Sequence, residues 1–163
     1  MENDKIISNS KYLFTHGYCA YYAINMMRAN ENMKTLISLN VTDEDGDEVS
    51  VHYFASDGEK VHDIYGSANI TVDAMIEHIK DNFPEILNQY CDEEIEEAYI
   101  RKTERELISE ENINDISNMK VKDLDGVSGF NMTAKELFEA YQKSIKDKEL
   151  KAESIRHKIS ITM

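Results

Sequence analysis

Cysteine is scarce in this chain of 163 residues: Cys19 and Cys91 are the only two, and they do not form a CxxC pair. That excludes a disulfide-stapled scaffold and argues against a structural zinc site. Positive charge is also scarce. With 18 Lys and Arg against 32 Asp and Glu, the formal net charge is −14, which argues against direct binding of nucleic acid or an anionic membrane, since both depend on phosphate neutralisation. No apolar run approaches the roughly 20 residues of a membrane span. The opening MENDKIISNSKY lacks a basic stretch followed by an apolar core, so a cytoplasmic protein is expected. Proline occurs once, at Pro84, where it ends one helical run and opens another. What remains is 41% hydrophobic and 31% charged, the balance of a soluble globular chain with a proper core.

The chemistry lies near the start. Gly17 can take the backbone conformation needed at an entry turn, and residues 18–29, YCAYYAINMMRA, read as a helix without internal glycine or proline. Cys19 then sits in the first turn, where unpaired N–H groups and the helix dipole favour a thiolate. Cys19, Ala23 and Met26 share one face, which should pack on a core. Cys91, by contrast, precedes Asp92-Glu93-Glu94, an acidic run that disfavours a thiolate.

Asp57-Gly58 signals a hairpin between residues 49–55 and 60–65. Pairing Ser56 with Glu59 sets His52 directly opposite Asp63, with Cβ atoms about 5 Å apart on one face. That is close enough for the carboxylate to hold the imidazole through one nitrogen. Asp45-Gly46 likewise folds residues 34–42 against 49–55, placing Leu39 opposite His52 and Ile37 opposite Phe54. The apolar face of this meander should receive the Cys19 helix, leaving Ser38, Asn40, Tyr53, Lys60 and His62 on a more polar face. The acidic tip at residues 43–48 does not fit a calcium loop, because its glycine comes fourth rather than sixth.

After Gly66 the pattern turns helical. Thr71 caps a helix ending near Phe83, Pro84 opens a short one to about Tyr90, and residues 92–109 read as a third, with Ile95, Ala98, Tyr99 and Leu107 inward. Residues 110–131 are the least regular part. Thr133 and Glu136 make a capping box for a long helix, frayed or partner-dependent beyond about residue 147. The expected fold is α+β: an N-terminal helix on a three-stranded antiparallel meander in residues 1–70, followed by a mostly helical extension, residues 71–163, packed on that core.

GYCAYYA around Cys19, VHYF around His52 and VHDIYG around Asp63 together resemble the papain-like and transglutaminase-like cysteine enzymes in minimal form. The resemblance covers about the first 70 residues. It implies Cys19 as nucleophile, His52 as general base and Asp63 as the orienting acid of a cysteine-dependent acyl-transfer enzyme: a peptidase, deamidase or transglutaminase acting on a protein or peptide, with no cofactor and no metal. Papain-like peptidases carry a glutamine shortly before the cysteine that helps bind the oxyanion. None precedes Cys19, which leaves the Cys19 N–H and the His16 side chain as candidate donors. The alternative reading is a non-enzymatic acidic protein that inhibits or sequesters a partner through its basic surface.

Overall fold

The β-branched and aliphatic run TLISLNVT forms β1 (Thr35–Thr42), an interior strand of an antiparallel sheet. A computed structural model of the chain describes residues 2–42, 45–88, 90, 95–100, 110–121 and 131–162. The other strands are β2 (Glu48–Ser56), β3 (Lys60–Asp63), β4 (Gly66–Asn69) and β5 (Ile95–Ile100), in the order β4-β3-β2-β1-β5. The class is α+β as expected, but among the described residues the sheet has five strands rather than three. β4 extends the meander past Asp63. β5 pairs with the free edge of β1, from Leu36 opposite Ile100 to Val41 opposite Ile95, so residues 95–100 are strand and not the helix their charge pattern suggested. The remainder of that expected helix, residues 92–94 and 101–109, lies outside the described residues, as does Cys91.

The chain divides into two compact units, Lys11–Ile113 and a second made of Met1–Ser10 with Asn114–Met163. In the first, Ile37, Leu39, Val41, Phe54 and Val61 gather with Met75, Ile76 and Ile79 of α3 (Val72–Asn82), and with Phe83 and Leu87 beyond it. The apolar side chains that cover this sheet face therefore come from α3 and the turn after it. The cysteine helix, α2 (Cys19–Ala29), lies along β2 and buries Tyr21, Tyr22, Ala23 and Ile24. Tyr21 and Tyr22 pack on Phe14, just past α1 (Glu2–Leu13), with ring centroids 6.2 and 5.2 Å away. On the opposite sheet face Ser38 and Asn40 are enclosed while Lys60 is exposed, and Ser38 Oγ donates to Asn40 Oδ1 at 2.8 Å.

α3 starts at Thr71, whose hydroxyl accepts from the Ala74 N–H at 3.1 Å. Pro84–Leu87 is a single 3-10 turn. α4 (Glu110–Ser117) replaces the irregular stretch expected at its position. In the second unit the capping box closes α5 (Ala134–Thr162): Glu136 N–H donates to Thr133 Oγ1 at 3.1 Å and Thr133 N–H to Glu136 Oε1 at 3.0 Å. This helix runs unbroken to Thr162, past the point where fraying was expected. Among the described residues no helix is long and apolar enough to cross a membrane.

Candidate active site

Gly17, at φ 108°, turns the chain into α2 so that Cys19 is its first residue. Its thiol is half-buried. Burial pushes the thiol's pKa up, but the His52 imidazole, by hydrogen bonding and by charge, and the N–H groups of Tyr53 and Ala20 outweigh this and leave it below the ordinary thiol value. The Ala20 N–H is one of the free donors of a helix start. Tyr53 pairs with Ser38 on β1 and, among the described residues, has no ladder partner on β3, which leaves its N–H for the sulfur.

His52 is fully buried. Its Nε2–H donates to Asp63 Oδ2 at 3.0 Å. Nδ1 is buried and closes no hydrogen bond among the described residues, and the Cys19 thiol is the other group that acts on the ring. Burial drives the imidazole towards its neutral form, but the hydrogen bonds to Asp63 and Cys19 reverse this and raise its pKa to about 9. The ring is wedged between Phe54, edge-on at 4.7 Å, and Phe83 at 4.9 Å, which fixes its plane.

Asp63 is buried, with its side chain 3% exposed. Burial alone raises a carboxyl's pKa. Hydrogen bonds from His52 and from His78, on α3, overcome this and hold Asp63 at about 2. Its Oδ1 accepts both the His78 Nε2–H at 2.9 Å and the Tyr65 N–H at 2.8 Å. Cys19, His52 and Asp63 thus converge, and His78 joins them from the helix side.

The sequence reading placed Asp63 directly opposite His52. In the structure the ladder pairs Ala55 with His62 and Ser56 with Val61, two residues out of the expected register. The turn is longer because Asp57 Oδ1 accepts the N–H of both Glu59 and Lys60, at 2.9 and 2.8 Å. A shift of two keeps every side chain on its face, so Asp63 reaches His52 diagonally.

His62 and His16 are engaged elsewhere. His62 bonds Asp57 across the hairpin at 3.1 Å. His16 stacks on Tyr12 at 4.2 Å, its Nδ1 meeting the Tyr12 carbonyl at 3.0 Å and Thr15 Oγ1 at 2.8 Å, and its Nε2 meeting Glu85 at 3.1 Å. With both nitrogens held, the His16 side chain is not a free oxyanion donor. His78 was missed by the sequence reading. Its signal is modest: three residues after Met75, it borders the apolar stripe of α3 that packs on the sheet. Among the described residues no group of three His, Cys, Asp or Glu is arranged to hold a metal ion. Comparisons of the chain with family models, curated proteins and solved structures give no match.

Proposed function

We propose that this chain is a cysteine-dependent acyl-transfer enzyme, related in plan to the papain-like and transglutaminase-like enzymes, with Cys19 as nucleophile, His52 as proton carrier and Asp63 as its anchor. The observation that carries the reading is the fully buried His52, bonded through Nε2 to Asp63 at 3.0 Å while Nδ1 is left to the Cys19 thiol at a helix start. A buried polar ring of this kind costs stability unless its partners compensate, and here one partner is a reactive group.

Nδ1 takes the thiol proton, and the thiolate attacks an acyl carbon to form a C–S bond and a tetrahedral oxyanion. The N–H groups of Ala20 and Tyr53, which already face the sulfur, are the candidate donors to the developing oxyanion. Collapse breaks the C–N bond as the His52 imidazolium gives its proton to the leaving amine. Water, deprotonated by His52, then splits the thioester to a carboxylate and regenerates the thiol; an amine in its place gives a new amide. The substrate is a peptide or protein carrying such an amide.

The test is labelling of the full chain near neutral pH with iodoacetamide and with an electrophilic peptide ketone, read by peptide mass spectrometry. Cys19 should react much faster than Cys91, and His52→Ala should slow it about tenfold or more. Equal, slow labelling of both cysteines overturns the enzyme reading and leaves the acidic binding protein.

A further inference from the structure

Asp63 is better supplied with donors than anchoring one imidazole requires. Its Oδ2 faces His52 at 3.0 Å, while Oδ1 receives the Tyr65 N–H at 2.8 Å and the His78 Nε2–H at 2.9 Å. The Tyr65 N–H comes from the turn just after β3, so it moves with the aspartate it holds. His78 comes from α3, a different element, and its side chain is 8% exposed. Its ring stands against Phe83 at 6.2 Å and Phe54 at 6.1 Å, the same two aromatics that clamp His52.

Resting on the triad reading above, we propose that His78 is a positioning residue of the site: its bond to Oδ1 fixes the plane of the Asp63 carboxylate, so that Oδ2 is aimed at His52 and His52 Nδ1 at Cys19. A carboxylate pinned at one oxygen only by its neighbour's N–H can pivot about its χ2 torsion, which is broad and shallow. A second donor from a packed helix removes that freedom. The buried His52–Asp63 bond depends on alignment, because in a low-dielectric setting a misdirected charge partner loses much of its influence. His78 thus acts on the thiol at third hand, through Asp63 and His52. The relay joins α3 to α2 through the sheet, so the element that covers the apolar core also tunes the nucleophile.

The test uses the full chain and compares His78→Phe, which keeps ring volume against Phe54 and Phe83 but has no N–H, with His78→Gln, which restores a donor. The readout is the pH profile of Cys19 alkylation. His78→Phe should lower the rate near pH 7 roughly fivefold by moving the profile to higher pH, and His78→Gln should recover most of it. A wild-type profile in His78→Phe overturns the proposal, as does a His78→Gln profile identical to that of His78→Phe. Should His78→Phe not fold, histidine-labelled NMR of the wild type decides: two slowly exchanging Nε2–H protons, from His52 and His78, at least one of them lost in Asp63→Asn, whose amide offers a single acceptor oxygen, support it, and the absence of the His78 proton overturns it. His52→Ala separates the two levels. If it slows labelling while His78→Phe does not, only the positioning role fails; if it has no effect on Cys19, the triad and this role fail together.

Discussion

The two hairpins that share β2 differ in how far their ladders run. The β1–β2 ladder extends from Thr35 opposite Ser56 to Thr42 opposite Glu48, with one irregularity after Leu39. Between β2 and β3 the ladder consists of the pairs Ala55–His62 and Ser56–Val61, after which the strands part. The long ladder is a scaffold: its polar residues, Ser38 and Asn40, bond one another and Glu48. Past the end of the short one, the Tyr53 N–H faces the Cys19 sulfur at a helix start, and the His52 imidazole reaches from β2 to the Asp63 carboxylate. The backbone donor of the site comes from where pairing stops, because a ladder N–H already has a partner.

Breaking each side should show the asymmetry. Asp63→Ala strips both His52 and His78 of their acceptor in a buried site and should cost about 3 kcal/mol or more in urea unfolding. On the scaffold side, Ser38→Ala, which removes one neutral buried hydrogen bond, should cost about 1 kcal/mol and leave Cys19 labelling unchanged.

Acid sharpens the comparison through linkage. Asp63 has a folded pKa lowered to about 2 from 3.8, so its stabilisation is complete above about pH 4 and fades as pH falls through about 2. The shift corresponds to about 2 kcal/mol, and urea midpoints measured across that window should drop in the wild type and much less in Asp63→Asn. A parallel drop in both would mean that other carboxyls dominate acid unfolding.

The smallest effect separates the two turns. Gly58, at φ 95°, closes the β2–β3 hairpin, and Gly46, at φ 84°, the β1–β2 hairpin; among the described residues, chain neighbours aside, neither has a heavy atom within 4 Å of where a Cβ would stand. Alanine at either should cost about 1 kcal/mol by backbone strain alone. Only Gly58→Ala should also alter the Cys19 alkylation rate, because it loosens the strand that carries Asp63. Equal labelling in both variants would argue that the site is indifferent to the β2–β3 turn.

Much of this was legible before any coordinates. Leu39 pairs with His52 and Ile37 with Phe54 as the hairpin signal at Asp45-Gly46 predicts, although from Asn40 to the turn the ladder is shifted by one residue. The Thr71 cap and the Thr133–Glu136 box depend on residues three apart in sequence, and both form. The β2–β3 register was misjudged because Asp57 uses its side chain to hold two further N–H groups, a choice that Asp-Gly alone does not reveal. IEEAYI at 95–100 reads as an amphipathic helix from its charges, yet the open edge of β1 draws it into the sheet. His78 lies fifteen positions beyond Asp63 and meets it only because α3 folds back over the strands.

The sequence by itself determined the local matters: where helices begin, which strand residues share a face, and that Cys19 stands at a helix start. These depend on backbone periodicity and on capping between near neighbours, and a two-residue slip in register cannot undo a face. Tertiary structure alone decided that β1 acquires β5, that α3 covers the apolar sheet face, and that Asp63 answers to two histidines. Those outcomes depend on which burial and pairing arrangement satisfies the whole chain at once, and no short window of residues contains that competition.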